Sequence, residues 1–254
     1  MRLGITDAVK HLIIINVVMF IGTLTVGGGT LFYDWFAEFF PLNDSFGFWQ
    51  LVTSIFIHFD IGHLFSNMLM LFFTGIMIEQ VLGTKRFLFL FLSAGLGGNL
   101  IALSVDYIQF SLALNELTSN GFDKAQVLEV LNSKLGRYDL RWQNILSETQ
   151  FKHLVVNFNS RSAGASGAVM GILAVLGLMF PERKIMLLFP PIPIKIKYLV
   201  VGLIGSDFFM AIFTGSSLIG STGTGYVAHL GGAIVGALIY LFWKKNSMDK
   251  YRWN

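Results

Sequence analysis

The chain's 254 residues are 54% hydrophobic and only 13% charged, with 18 Lys or Arg, 15 Asp or Glu and no cysteine. A soluble domain carries roughly 25% charged residues, so this balance excludes an ordinary globular protein and points to a membrane. Without cysteine there are no disulfides, no thiolate catalysis and no cysteine-ligated metal, and nothing in the composition calls for a cofactor.

Apolar stretches fall in chain order at residues 12–31, 61–78, 87–105, 163–180, 198–213 and 226–243. Each approaches the ~20 residues that cross a ~30 Å hydrocarbon core. The expected fold is therefore an all-α polytopic membrane protein, a single domain over 1–254 with six transmembrane helices. The first stretch is too long for a cleaved signal peptide, and no A-x-A site follows it. Between the first two spans, residues 32–49 are rich in aromatics, including Phe32, Trp35, Phe40, Phe48 and Trp49. Aromatics concentrate at headgroup level, so this loop is expected to lie half submerged on the outer side, as packing or as a lateral platform for substrate. Residues 108–162 form a long insertion between the third and fourth spans. Within it, Ala125, Val127, Leu128, Val130, Leu131 and Leu135 recur at mostly helical spacing between Asp123 and Gly136, which predicts a short amphipathic helix over 124–135. A second helix is expected over 140–154. The insertion holds no residue of the reactive layer described below, so a role in substrate choice is expected.

Charge placement orients the helices. Arg2, Lys10, Lys85, Arg86, Arg183, Lys184, Lys195, Lys197, Lys244, Lys245, Lys250 and Arg252 all fall on one side, whereas the six other basic residues lie in the insertion. By the positive-inside rule both termini are expected to be cytoplasmic, in an inner or plasma membrane with the insertion extracytoplasmic. The basic pI of 9.1 then reports topology and implies no nucleic-acid partner.

Counted from those basic ends, Ser166, His229, His63 and Asn67 stand about 18 to 24 Å above the inner boundary, in the outer third of a ~30 Å core. One such residue is ordinary helix-helix glue. Four at matched depth on three helices read as a functional site. His63 and Asn67 are one turn apart and converge on one point. Gly167 and Gly171 on the fourth span, with Gly232 and Gly236 on the sixth, are GxxxG faces that let backbones approach and bring Ser166 toward His229. A serine hydroxyl needs a base to become nucleophilic, and a neutral imidazole at His229 suits that role. Attack on an amide builds an oxyanion, for which the Ser166 N–H, the His63 ring and the Asn67 amide are the available donors. Asp207 is the one acid well inside a span, but its depth of about 15 Å places it below the serine layer. A Ser-His dyad is therefore expected, with Asp207 structural or gating.

Three stretches, His58-x4-His63-x3-Asn67, Gly164-Ala165-Ser166-Gly167 and Ala228-His229-x2-Gly232-x3-Gly236, resemble those of the rhomboid intramembrane serine proteases over roughly 49–243. The resemblance implies a six-helix rhomboid-like bundle, Ser166 as nucleophile, His229 as base, His63 and Asn67 as oxyanion donors and His58 as a structural histidine. It also implies cleavage of single-span or other transmembrane segments within the lipid bilayer, with Glu79 and Gly83 closing the second helix and Phe208, Phe209 and Phe213 on a lateral gate. Two positions depart from the family pattern. A Trp-Arg pair reads Trp49-Gln50, so the arginine's contacts are expected to be missing, and a tyrosine that stacks on the catalytic histidine is replaced by Met170. The competing reading is an inactive rhomboid-like protein that binds or escorts membrane clients.

Overall fold

The computed structural model describes residues 4–133, 138–186, 192–213 and 224–245. Among them six long helices stand out: α1 Asp7–Thr25, α2 Ile61–Leu82, α3 Thr84–Ser119, α4 Ser166–Met179, α5 Ile196–Phe213 and α6 Thr224–Trp243. Four stretches, Asp7–Gly29, α2, α3 and Gly225–Trp243, are long and apolar enough to cross a membrane by length and composition. Arg2, Lys134, Leu135, Gly136, Arg137, Lys250 and Arg252, all used in the sequence reading, lie outside the described residues, as does the Phe213 side chain.

α4 is the axis of the fold. Its residues Gly167–Leu176 are buried throughout, between α3 and α6. At 14 residues it is about 21 Å long, short of a ~30 Å core. The close packing depends on the two glycine faces: a Cβ at Gly232 or Gly236 would collide with the carbonyls of Gly167 and Gly171. The outward faces of α1, α5 and α6, including Val18, Val201, Phe208 and Leu238, are exposed hydrophobics suited to lipid.

Several expected boundaries move. The first span stops at Thr25 and not at 31, because Gly27 and Gly28, at φ 61° and 70°, turn the chain in a left-handed conformation that other residues resist. α1 starts earlier than expected, since Glu79 accepts hydrogen bonds from the Ala8 and Val9 N–H groups and from the Thr84 hydroxyl, capping α1 on the end of α2. α3 runs 36 residues, about 54 Å, past the expected end at 105. Its outer half seeds a second core: Phe110, Ala113, Leu114 and Leu117 pack with Val127, Leu131, Trp142 and Phe158, and with Phe40 of the first loop. The helix expected over 124–135 is observed as Lys124–Asn132. The one expected over 140–154 is broken into a 3-10 turn, Leu140–Asn144, and a helical run over 148–159, because the capping box of Ser147 and Gln150 starts a new helix between them.

At the opposite end, α4 and α5 are joined through an antiparallel ribbon, β1 Lys184–Met186 against β2 Pro193–Lys195. Glu182 binds Lys195 and Lys197 there, which holds its carboxyl down at about 2. The Arg86 guanidinium lies over the Trp243 ring at 5.8 Å, so the start of α3 and the end of α6 share this basic end.

Candidate active site

Ser166 is the first residue of α4, and Gly164 two residues before it takes φ 134°. A Cβ built at Gly164 would lie 2.8 Å from both Cε1 and Nε2 of His63 and 3.7 Å from Ser166 Oγ. The His63 ring and the serine hydroxyl thus converge beside a position that only glycine leaves open. The turn is tied down from behind. The Gly164 N–H donates to the Ser54 carbonyl at 2.9 Å, and the buried Asn99 donates to Ser54 Oγ and to the Leu51 carbonyl, each at 3.0 Å.

α2 is capped by Asp60, whose carboxylate accepts the His63 N–H at 2.8 Å. This cap fixes the turn that carries His63. Asn67, one turn on and buried, donates to the His63 carbonyl at 3.1 Å with one amide hydrogen, which leaves the other for a ligand. His58 is fully buried with its ring 4.9 Å from that of His63, edge to face. Burial, and the second imidazole beside it, push His58 down to about 3, so it packs as a neutral ring. Tyr33 donates to the His58 carbonyl at 2.6 Å and stacks on Phe59, which in turn stacks on His63.

His229 is brought to the same place by backbone contact: a Cβ on Gly167 would sit 3.3 Å from the carbonyl of Ala228, so the residues beside Ser166 and His229 touch. Its Nδ1 lies 3.0 Å from Asp207 Oδ2, in a pair whose side chains are 24% and 14% exposed. The carboxylate expected below the serine layer, as a structural hydrogen-bonding or gating residue, is thus within reach of the histidine. Counting depth from Lys197 treats the helices as parallel columns, and the offset it leaves between Asp207 and His229 is about 7.5 Å, roughly one and a half turns. A modest inclination of one helix and the length of two side chains close such a gap. An ionisable residue inside a span was itself the signal that pointed to Asp207.

The two departures in sequence are also filled. Gln50 is fully buried; its carbonyl accepts the Phe39 and Gly47 N–H groups at 3.3 and 3.1 Å, and its amide donates to the Ser45 carbonyl at 3.0 Å. The first loop therefore has a pin where the arginine's contacts were expected to be missing. Met170 is buried in the core around α4, while Tyr226, one turn before His229, sets its ring perpendicular to the imidazole at 6.4 Å. The first loop meets the approach to Ser166 directly, through paired backbone bonds between Glu38 and Ser162 at 2.8 Å. Among the described residues no group of three or more His, Cys, Asp or Glu stands ready to hold a metal ion.

A family model described as the Rhomboid domain matches residues 45–112 and 144–245. The chain belongs to the rhomboid family. It is an integral membrane protein of helical build, from a family that includes named proteases. It is 30% identical over 192 residues to RHOMBOID-like protein 12, mitochondrial, of Arabidopsis thaliana, an alignment covering 75% of this chain and 45% of that protein. A shorter stretch of 52 residues is 40% identical to Rhomboid protease GluP of Bacillus subtilis (strain 168), covering 20% of this chain and 10% of that one. Another of 67 residues is 31% identical to Rhomboid-like protease 3 of Toxoplasma gondii, covering 26% of each. The chain spans less than half the length of the rhomboid relatives it matches. One of those relatives is named as mitochondrial, so family membership favours no particular membrane.

Proposed function

We propose that this rhomboid is an intramembrane serine endopeptidase with six membrane-crossing helices, both termini on the basic side, that cleaves transmembrane segments of other proteins. The observation that carries the reading is the convergence of Ser166 Oγ and the His63 ring on one point beside Gly164, with His229 anchored to Asp207 on the neighbouring helix.

An ionised Asp207 only accepts hydrogen bonds, so Nδ1 of His229 carries the proton and Nε2 keeps its lone pair for the serine. As Oγ attacks a substrate carbonyl, its proton passes to Nε2 and the imidazolium that forms faces the Asp207 carboxylate. The developing oxyanion is met by the Ser166 N–H at the start of α4, the His63 ring and the free amide hydrogen of Asn67. The C–N bond breaks as His229 returns the proton to the leaving amine, and a water activated by the same base hydrolyses the acyl-serine. Asp207 thus extends the expected dyad into a Ser-His-Asp relay. A substrate helix has every carbonyl paired internally, so the reacting segment must unwind locally before Ser166 can reach it.

The experiment is to incubate the purified full chain in liposomes with a single-span protein substrate. New termini inside the span, absent with Ser166→Ala, support the reading. Intact substrate with the wild-type chain overturns it and leaves client binding as the alternative.

A further inference from the structure

A small cavity lies on the outer side between the first loop, the extended half of α3 and the helical run over 148–159. We propose that it binds a hard divalent cation of the calcium class, held by the carboxylates of Glu38 and Asp106 and the amide oxygen of Asn157. Its volume is about 30 Å³, and Ser160, Arg161 and Ser162 also line it. Such a space holds one or two waters or a single ion and is far too small for an organic ligand.

The polar groups around it are incomplete as they stand. Glu38 is 3% exposed, and its Oε2 has no hydrogen-bond partner. Asn157 Nδ2 lies 3.1 Å from Asp106 Oδ1 and 3.1 Å from His153 Nδ1. A carboxylate cannot donate, so this nitrogen is the amide donor, and the remaining Oδ1 is buried without a partner. Two orphaned oxygens and a second carboxylate around one water-sized space make a costly arrangement in the absence of an occupant. A positive ion between the two carboxylates offsets their mutual repulsion. The one cation in the lining, Arg161, already pairs with Asp34 at 2.7 Å and stacks over Phe39, so its charge is matched elsewhere.

The donors decide the class of ion. All are oxygens, which suit hard cations and do not suit zinc. Two carboxylates and an amide supply part of the six to eight oxygens that calcium takes, and water completes a shell that magnesium would surrender only reluctantly. The three ligands come from three segments, and the Glu38 backbone is bonded to Ser162, four residues before Ser166. An ion here clamps the first loop and the outer segment onto the approach to α4 without joining the chemistry.

The test is the unfolding midpoint of the purified full chain in detergent, titrated with calcium chloride against sodium chloride at matched ionic strength, beside calorimetric titration for stoichiometry. A saturable rise of several degrees at pH 8, with one site per chain, is expected. Glu38→Gln and Asp106→Asn abolish the response, whereas Ser166→Ala keeps it, so the result stands or falls apart from proteolysis. A wild-type midpoint that ignores calcium overturns the proposal whether or not the variants fold. So does a response of wild-type size in both acid variants.

Discussion

Replacing Asp207 with asparagine keeps the shape of the side chain and removes its charge, which isolates what the carboxylate does for His229. The contact is 3.0 Å and largely shielded, with side-chain exposures of 24% and 14%. A hydrogen bond to a charged group contributes about 1.5–3 kcal/mol. The imidazolium exists only while the proton is in transit, so that loss falls on the barrier and not on substrate binding. At 1.36 kcal/mol per tenfold, kcat drops roughly 10- to 150-fold in Asp207→Asn. KM moves by no more than about twofold, the mark of an interaction made only in the transition state. The assay is steady-state cleavage of a fluorogenic single-span substrate in liposomes, beside labelling of Ser166 by a small serine-directed probe. Labelling should slow in step with kcat. Wild-type kcat in a folded Asp207→Asn protein would refute the relay and return Asp207 to the structural role its depth suggested.

Three further outcomes are expected. Gly164→Ala places a methyl 2.8 Å from the His63 ring at a φ of 134°, so turnover falls by at least about tenfold while the unfolding midpoint drops by the equivalent of roughly 1–3 kcal/mol; unchanged turnover would mean that His63 need not sit there. Gln50→Ala strands the Phe39 and Gly47 N–H groups and the Ser45 carbonyl, costing roughly 2–4 kcal/mol, and a loss below about 0.5 kcal/mol by denaturant titration would show that the loop is held by its aromatics alone. His58 takes its proton at about 6.5 when unfolded and only at about 3 when folded, so stability present above pH 6.5 is lost as the pH falls toward 3; His58→Gln should flatten that limb, and an unchanged slope would assign it to other groups.

The proposed catalytic layer is legible in the sequence because each of its parts is local. His63 and Asn67 share a helical turn, Ser166 sits in a four-residue turn, and His229 shares a face with Gly232 and Gly236, so spacing alone carried them to neighbouring positions. What escaped was set by relations between segments. Asp207 was placed by counting along one helix, which says nothing of how that helix leans against the next. The third span is expected to end at 105, yet α3 continues to Ser119, where Phe110, Leu114 and Leu117 find the outer segment to pack against. That packing shows a tighter tie between the outer segment and the first loop than a detachable cap would have: Asn132 donates to the Leu42 carbonyl and Asn43 to that of Phe158, each at 3.1 Å. Gln50 looked like a loss because only the missing arginine was legible, and the three backbone groups it satisfies belong to a loop without periodicity. The Glu38–Asp106–Asn157 cavity unites residues up to 119 positions apart, beyond the reach of any motif.

Nucleophilic attack by Ser166 is tested most directly by intact-mass spectrometry of the purified chain after reaction with a fluorophosphonate probe and, separately, with a single-span substrate in liposomes. The wild-type chain should gain one phosphonyl group, mapped to Ser166, and should cleave the substrate within its span. Ser166→Ala and His229→Ala should each do neither, with the double variant no worse than either single one. Cleavage at the wild-type rate by Ser166→Ala, or a probe adduct mapped to another residue, would contradict the serine mechanism outright.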